Sequence, residues 1–247
     1  MDRKAHWERV YETKAATEVS WFQTHADVSR ELIESAAPDR ASAIIDVGGG
    51  ASVLVDDLLA AGYSKLTVLD ISRAALDQAR ARMGASADRV NWLEADVLTV
   101  DLPLAVFDVW HDRAVFHFLT DPEDRRRYIS QVRHALKRGG VIVIGTFADD
   151  GPLKCSGLDV ARYSAEQLVA ELGAGFTLMT SRRHAHTTPW GAPQAFTFCV
   201  VRFERLESEL EADPKLAAIR RAAGLAFPTA EVGEMLGDIK RGRTPGD

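Results

Sequence analysis

The sequence is poor in cysteine: Cys155 and Cys199 are the only two in 247 residues. Two thiols are too few to build a disulfide framework, and no Cys-x-x-Cys pair offers a metal knuckle, so no metal site is expected. No uninterrupted apolar stretch reaches the roughly 18 residues of a transmembrane helix. Nor is there a basic excess. Thirty Lys and Arg stand against 36 Asp and Glu, a formal charge of −6, which argues against nucleic acid as a partner. The opening residues Met1-Asp2-Arg3-Lys4-Ala5-His6-Trp7 lack the apolar run of a signal peptide, so a soluble, cytoplasmic protein is expected. The content of 46% hydrophobic and 27% charged residues is that of a globular chain with a sizeable core.

What is present is an alternation. Short runs rich in β-branched residues (Ala43 to Val47, Leu66 to Asp70, Val90 to Glu94, Val106 to Trp110 and Val141 to Gly145) are separated by segments of helical apolar spacing. Strands alternating with amphipathic helices predict βαβ units on a parallel sheet. Tyr128 to Leu136 reads as a helix with a Gly139-Gly140 stop, and Ser164 with Gln167 as a capping box. The order then changes. Phe176 to Met179 and Phe196 to Val201 have no helix between them, so they should pair antiparallel. The expected fold is a doubly wound α/β sheet of seven strands, Rossmann-like, ending in a β-hairpin. Residues 1–206 would form this domain, and 207–247 a helical C-terminal appendage. Its apolar stripes must bury on the domain itself or on a second copy, which would make a homodimer through the tail.

The sharpest motif is Asp46-Val47-Gly48-Gly49-Gly50-Ala51-Ser52, directly after the first strand. Glycines there permit a tight turn and close ligand approach, and ligands of open α/β sheets sit at the carboxyl ends of the strands. A dinucleotide fingerprint wants a third glycine where Val53 stands, and an acid before the glycines would repel phosphates. Asp46 suits a cationic ligand better. Asp70, 24 residues on, is placed to take a ribose diol, and Asp96 to accept from the amine of a base.

This constellation resembles the class I S-adenosylmethionine-dependent methyltransferases over roughly residues 6–203. It is carried by Asp-x-Gly-x-Gly at 46–50, the acid at 70 and Ala-Asp-Val at 95–97. The resemblance implies S-adenosyl-L-methionine as cofactor. Asp46, Gly48, Gly49 and Gly50 would cradle its methionine part, and Asp70 would hold the ribose hydroxyls. Ile71 and Val97 would sandwich the adenine, with Asp96 at its amino group. Ser52 departs from the pattern, which often has glycine there.

The aromatic N-terminal stretch, His6-Trp7-Glu8-Arg9-Val10-Tyr11 and then Val19-Ser20-Trp21-Phe22-Gln23, is similar to that of a subgroup including lysine methyltransferases of citrate synthase and of an elongation factor. In that subgroup it covers the cofactor, a role this likeness gives to Trp21. Packing anchors for a first helix are the plainer reading of Trp7, Tyr11 and Trp21. After the fourth strand, Trp110-His111-Asp112-Arg113 to Leu119 would face the methyl group in such a family. Four ionisable side chains in an apolar run are costly unless paired or used. His111 or His117 is expected as a proton acceptor. Asp112 and Arg113 form either an ion pair bracing the loop or part of the catalytic face. His184 and His186 read as hydrogen-bonding rather than metal-binding, and Cys155 as an inert loop thiol. The expected activity is methyl transfer to a small-molecule nucleophile; the alternatives are a protein lysine side chain or, from another class, a non-catalytic cofactor-binding scaffold.

Overall fold

In the computed structural model, residues 2–204 are described. The expected domain boundary at 206, helical appendage over 207–247 and homodimer contact through the tail lie outside the described residues.

The helices are α1 (Arg3–Thr13), α2 (Asp27–Ala36), α3 (Leu54–Ala60), α4 (Arg73–Met83), α5 (Pro122–Ala135) and α6 (Ala165–Leu172). The strands are β1 (Ala43–Val47), β2 (Lys65–Asp70), β3 (Val90–Glu94), β4 (Phe107–Arg113), β5 (Leu136–Phe147), β6 (Lys154–Cys155), β7 (Leu158–Asp159), β8 (Phe176–Thr187) and β9 (Pro193–Phe203). Seven strands form one sheet in the order β3-β2-β1-β4-β5-β9-β8, while β6 and β7 form a separate two-stranded ribbon. The first five are parallel, β9 runs antiparallel to β5, and β8 antiparallel to β9.

Local chemistry sets the helix starts. Asp2, Ser72 and Asp121 cap α1, α4 and α5 with their side chains, and Pro122 occupies the first turn of α5. Ser164 and Gln167 form the expected capping box of α6. Both faces of the sheet are covered, as a parallel sheet requires. Neighbouring residues on each strand therefore enter opposite cores. Ile45, Trp110 and Ile142 pack with α5 and α6 residues such as Tyr128 and Leu168, whereas Ile44, Val109 and Val143 pack with Ile33, Leu54 and Leu58 from α2 and α3.

Two strands run further than their apolar patterns suggest. β4 continues through His111, Asp112 and Arg113 instead of ending at Trp110. β8 continues to Thr187, through the segment read as a polar connection, because Thr180 to Thr187 stays paired with β9 as far as Pro193. The order of the chain reverses between β1 and β4, which lie side by side with β2 on one flank and β5 on the other. A crevice opens outside the strand ends at such a reversal.

Candidate active site

The crevice holds a cleft with about 820 Å³ of empty space including its open mouth. Its floor comes from the strand ends: Val47 and Gly48 at the end of β1, Leu69, Asp70 and Ile71 at the end of β2, and Ala95, Asp96 and Val97 after β3. The β4 side contributes Arg113, Ala114, Val115, Phe118 and Leu119. The roof is N-terminal, with Arg3, Trp7 and Tyr11 from α1 and Trp21 from the following strap, and Cys155 stands at the far wall.

The glycine loop is tight for reasons of space. Gly48 and Gly50 both have positive φ, +66° and +38°. A Cβ on Gly48 would run into the Val115 side chain. On Gly49 it would lie 2.5 Å from Asp46 Oδ2, and on Gly50 2.7 Å from Asp70 Oδ2. The loop therefore holds two carboxylates against bare backbone. Asp46 is buried, and its Oδ1 lies 2.6 Å from His111 Nδ1. Its Oδ2 is shut off from solvent and has no hydrogen-bond partner among the described residues. Asp70 takes the Ser72 amide on Oδ1 at 2.8 Å. Burial, with the Asp46 and Glu8 charges adding to it, pushes its carboxyl up to about 7.

An ammonium is the natural partner for the unmatched Asp46 oxygen, and a diol for the edge of Asp70 that faces the cleft. Aliphatic Ile71 and Val97 line the cleft near Asp96, as the two sides of a flat ring would require. Asp96 spends Oδ1 on the Leu98 amide and has Oδ2 3.6 Å from Arg3. The residues present thus fit an amino-acid-bearing nucleoside.

The strand extension of β4 decides where its polar residues point. His111 and Arg113 share the face of Asp46, and Asp112 lies on the other. His111 is buried with both ring nitrogens engaged, Nδ1 by Asp46 and Nε2 by Ser29 Oγ at 2.9 Å. It does not line the cleft. Asp112 is fully buried and accepts from the Val115 and Phe116 amides and from the Tyr128 hydroxyl, at 2.8, 3.0 and 2.6 Å. Burial raises its carboxyl to about 6 despite these donors. His117 is likewise buried, against Phe118 and Phe147, and burial drives its imidazole down to about 3.

The expectation that His111 or His117 presents a proton acceptor to the cleft is thereby corrected. Each is sealed in a wall, one by hydrogen bonds and one by aromatic rings. Asp112 and Arg113 are not an ion pair either, because successive strand residues face opposite ways. Of the residues singled out from the sequence, Trp21, Gly48, Asp70, Ile71, Asp96, Val97 and Arg113 line the cleft, while Asp46, Gly49 and Gly50 stand behind it. Phe118, which also lines the cleft, belongs to the stretch after the fourth strand expected to face the methyl group, whereas Arg3 carries no motif by which to find it.

The roof is fastened on two sides. Arg3 pairs with Asp96 and Asp124, Lys4 with Glu94, and Glu8 accepts from Ser72 Oγ. Trp7 meets Trp21 and Phe118 edge-on, and the Trp21 indole donates to the Tyr11 hydroxyl. On the other side His186 Nε2 lies 2.7 Å from the Ser20 carbonyl, and Arg113 Nη1 donates to the Trp21 carbonyl at 3.0 Å.

Residues 44–140 match the family model described as Methyltransferase domain. The matched segment holds the glycine loop, Asp70 and Asp96, and the sheet order is that of the Rossmann-like class I methyltransferase fold. Among curated relatives the chain is similar to an eEF1A lysine and N-terminal methyltransferase of Mus musculus, at 26% identity over 141 residues covering 55% of this chain and 20% of that protein. It thus spans a fifth of that relative's length. An uncharacterized methyltransferase of Mycobacterium tuberculosis is 28% identical over 169 residues, 66% of this chain and 76% of that protein. The fold is shared with the 1,6-didemethyltoxoflavin-N1-methyltransferase of Burkholderia thailandensis, solved with its substrate and S-adenosylhomocysteine. The TM-score is 0.60 at 19% identity, covering 82% of this chain and 84% of that one. No helix among the described residues is long and apolar enough to cross a membrane.

Proposed function

We propose that the protein transfers a methyl group from S-adenosylmethionine to a small-molecule nucleophile. The observation that carries the reading is the pair of buried carboxylates around the glycine loop, with Asp46 Oδ2 unmatched. Asp46 and the Gly48 to Gly50 backbone hold the amino-acid end, Asp70 the ribose, Asp96 the adenine amine, and Ile71 and Val97 the ring faces. When bound, the cofactor supplies a methyl group on a sulfonium, so displacement needs alignment more than acid–base help. Trp7, Trp21 and Phe118 exclude water, and their faces favour a cation. No histidine is among the described residues that line the cleft, so no imidazole there takes the acceptor's proton.

The enclosing roof favours a small acceptor, since Trp7, Tyr11, Trp21 and Cys155 leave a pocket rather than a groove for a polypeptide. The test has two stages. Calorimetry with S-adenosylhomocysteine should show binding, which Asp46→Asn weakens. Labelled cofactor incubated with a cell extract should then place label in extractable small products. Label in protein would favour the lysine alternative, suggested by the eEF1A relatives, and binding without any transfer would favour the scaffold. A cytoplasmic location belongs to the same proposal.

A further inference from the structure

Asp46 is not the only side chain behind the glycine loop with an unmatched buried atom. Arg113 Nη2 is shut off from solvent and has no hydrogen-bond partner among the described residues. Its neighbour Nη1 is held by the Trp21 carbonyl, and the guanidinium lies 5.1 Å from the centre of the Phe196 ring. The group is thus fixed in direction while one donor edge stays open. A buried donor without an acceptor is costly, more so when it belongs to a cation. Such an atom persists where a ligand completes it.

Its surroundings say which ligand. Arg113 borders the main cleft beside Gly48, and it also borders the small adjoining pocket formed by Ala51, Ser52 and Val53 beyond the loop. It sits two residues beyond His111, on the strand face of Asp46, to which His111 is bonded. Asp46 and Arg113 feel one another's charge but form no ion pair. Opposite charges flank one loop, each with an unmatched buried atom. The group that satisfies both is a zwitterion: an ammonium for Asp46 Oδ2 and a carboxylate for Arg113 Nη2, the latter as a charge-assisted hydrogen bond. Burial lowers the guanidinium only to about 10, so the charge is present at neutral pH.

We propose that Arg113 is a cofactor-binding residue that holds the carboxylate of the amino-acid end of S-adenosylmethionine, opposite Asp46 at its ammonium. This rests on the cofactor reading above. It takes Arg113 away from the methyl acceptor, the side on which its position in sequence had placed it. It also ties the strap to the ligand, because the same guanidinium that meets the carboxylate holds Trp21.

The test compares three ligands by calorimetry: S-adenosylhomocysteine, its decarboxylated analogue, which keeps the amine, and methylthioadenosine, which lacks the whole amino-acid end. The wild-type protein should prefer S-adenosylhomocysteine to the decarboxylated analogue by about tenfold or more, the scale of a charged hydrogen bond. Arg113→Gln should lose that preference while binding the decarboxylated analogue as the wild type does, and Arg113→Lys should restore part of it. A preference kept in Arg113→Gln overturns the inference. So does an equal loss for all three ligands, which would make Arg113 a support for the strap alone. A wild type that binds S-adenosylhomocysteine without preferring it leaves Arg113 free for an anionic methyl acceptor, and also overturns it. A wild type that binds none of the three removes the cofactor reading itself.

Discussion

Asp46 on β1 and His111 on β4 stand opposite each other in register on adjacent parallel strands, joined Oδ1 to Nδ1 at 2.6 Å. The imidazole is a buttress for the carboxylate rather than a base. It pins one oxygen, leaves the other without a partner, and is itself pinned by Ser29.

His111→Ala should therefore act through binding. Both Asp46 oxygens become unmatched, which costs about 1–3 kcal/mol of stability, and S-adenosylhomocysteine affinity should fall with it. The dependence of kcat/KM on pH should keep the wild-type shape. A titration near neutrality that vanishes in the variant would restore His111 as a proton acceptor.

Asp70 trades stability for binding. Its folded carboxyl keeps a proton up to about 7, whereas an unfolded aspartate releases it near about 4. The folded state thus binds the extra proton between these values. Its contribution to stability is complete at low pH and is lost as pH rises through about 7. Asp70→Asn should consequently melt higher than the wild type at about pH 8, with the gap closing toward about pH 4. Its affinity for S-adenosylhomocysteine should nevertheless fall roughly tenfold or more. Equal melting temperatures across this range would show that Asp70 is not strained by burial.

Asp112 is structural. Asp112→Ala strands two backbone amides and the Tyr128 hydroxyl, which in turn accepts from the Trp110 indole at 2.8 Å. A loss of about 3 kcal/mol or more is expected, read as a lowered denaturant midpoint. Tyr128→Phe should lose less, because the two amides keep their acceptor.

Ala114 turns the chain out of β4 with φ +71°, a left-handed conformation that its Cβ opposes. Ala114→Gly should relieve roughly 1 kcal/mol, partly offset by the freer unfolded chain. Thermal melting should show an unchanged or slightly raised midpoint. A fall of several degrees would mean that the Ala114 methyl is needed for packing.

The parts of the fold that were legible in the sequence are those whose causes are local. The glycine loop after β1, the Ser164 cap and the alternation of apolar runs each depend on residues within a few positions. The terminal hairpin followed from the missing crossover helix. β4 was cut short at Trp110 because His111-Asp112-Arg113 reads as polar. Its continuation depends on Ser29, Asp46 and Tyr128, which no spacing links to it. β8 was cut short for the opposite reason: most of it faces solvent, so no apolar alternation marks it. The cleft walls at the ends of β1, β2 and β3 were readable because each follows a short local motif, whereas the walls from α1, the strap and β4 are assembled by packing between distant segments and were not.

The two fastenings of the roof are unequal, and this sets a direction of opening. The α1 edge is tied largely by ion pairs with exposed partners; Arg3 and Lys4 side chains are 41% and 55% exposed. Such pairs hold weakly and are screened by salt. The strap edge is tied through buried His186 and the desolvated Arg113 guanidinium. The α1 edge is therefore the one expected to lift first when a ligand exchanges, at a rate that should rise with ionic strength.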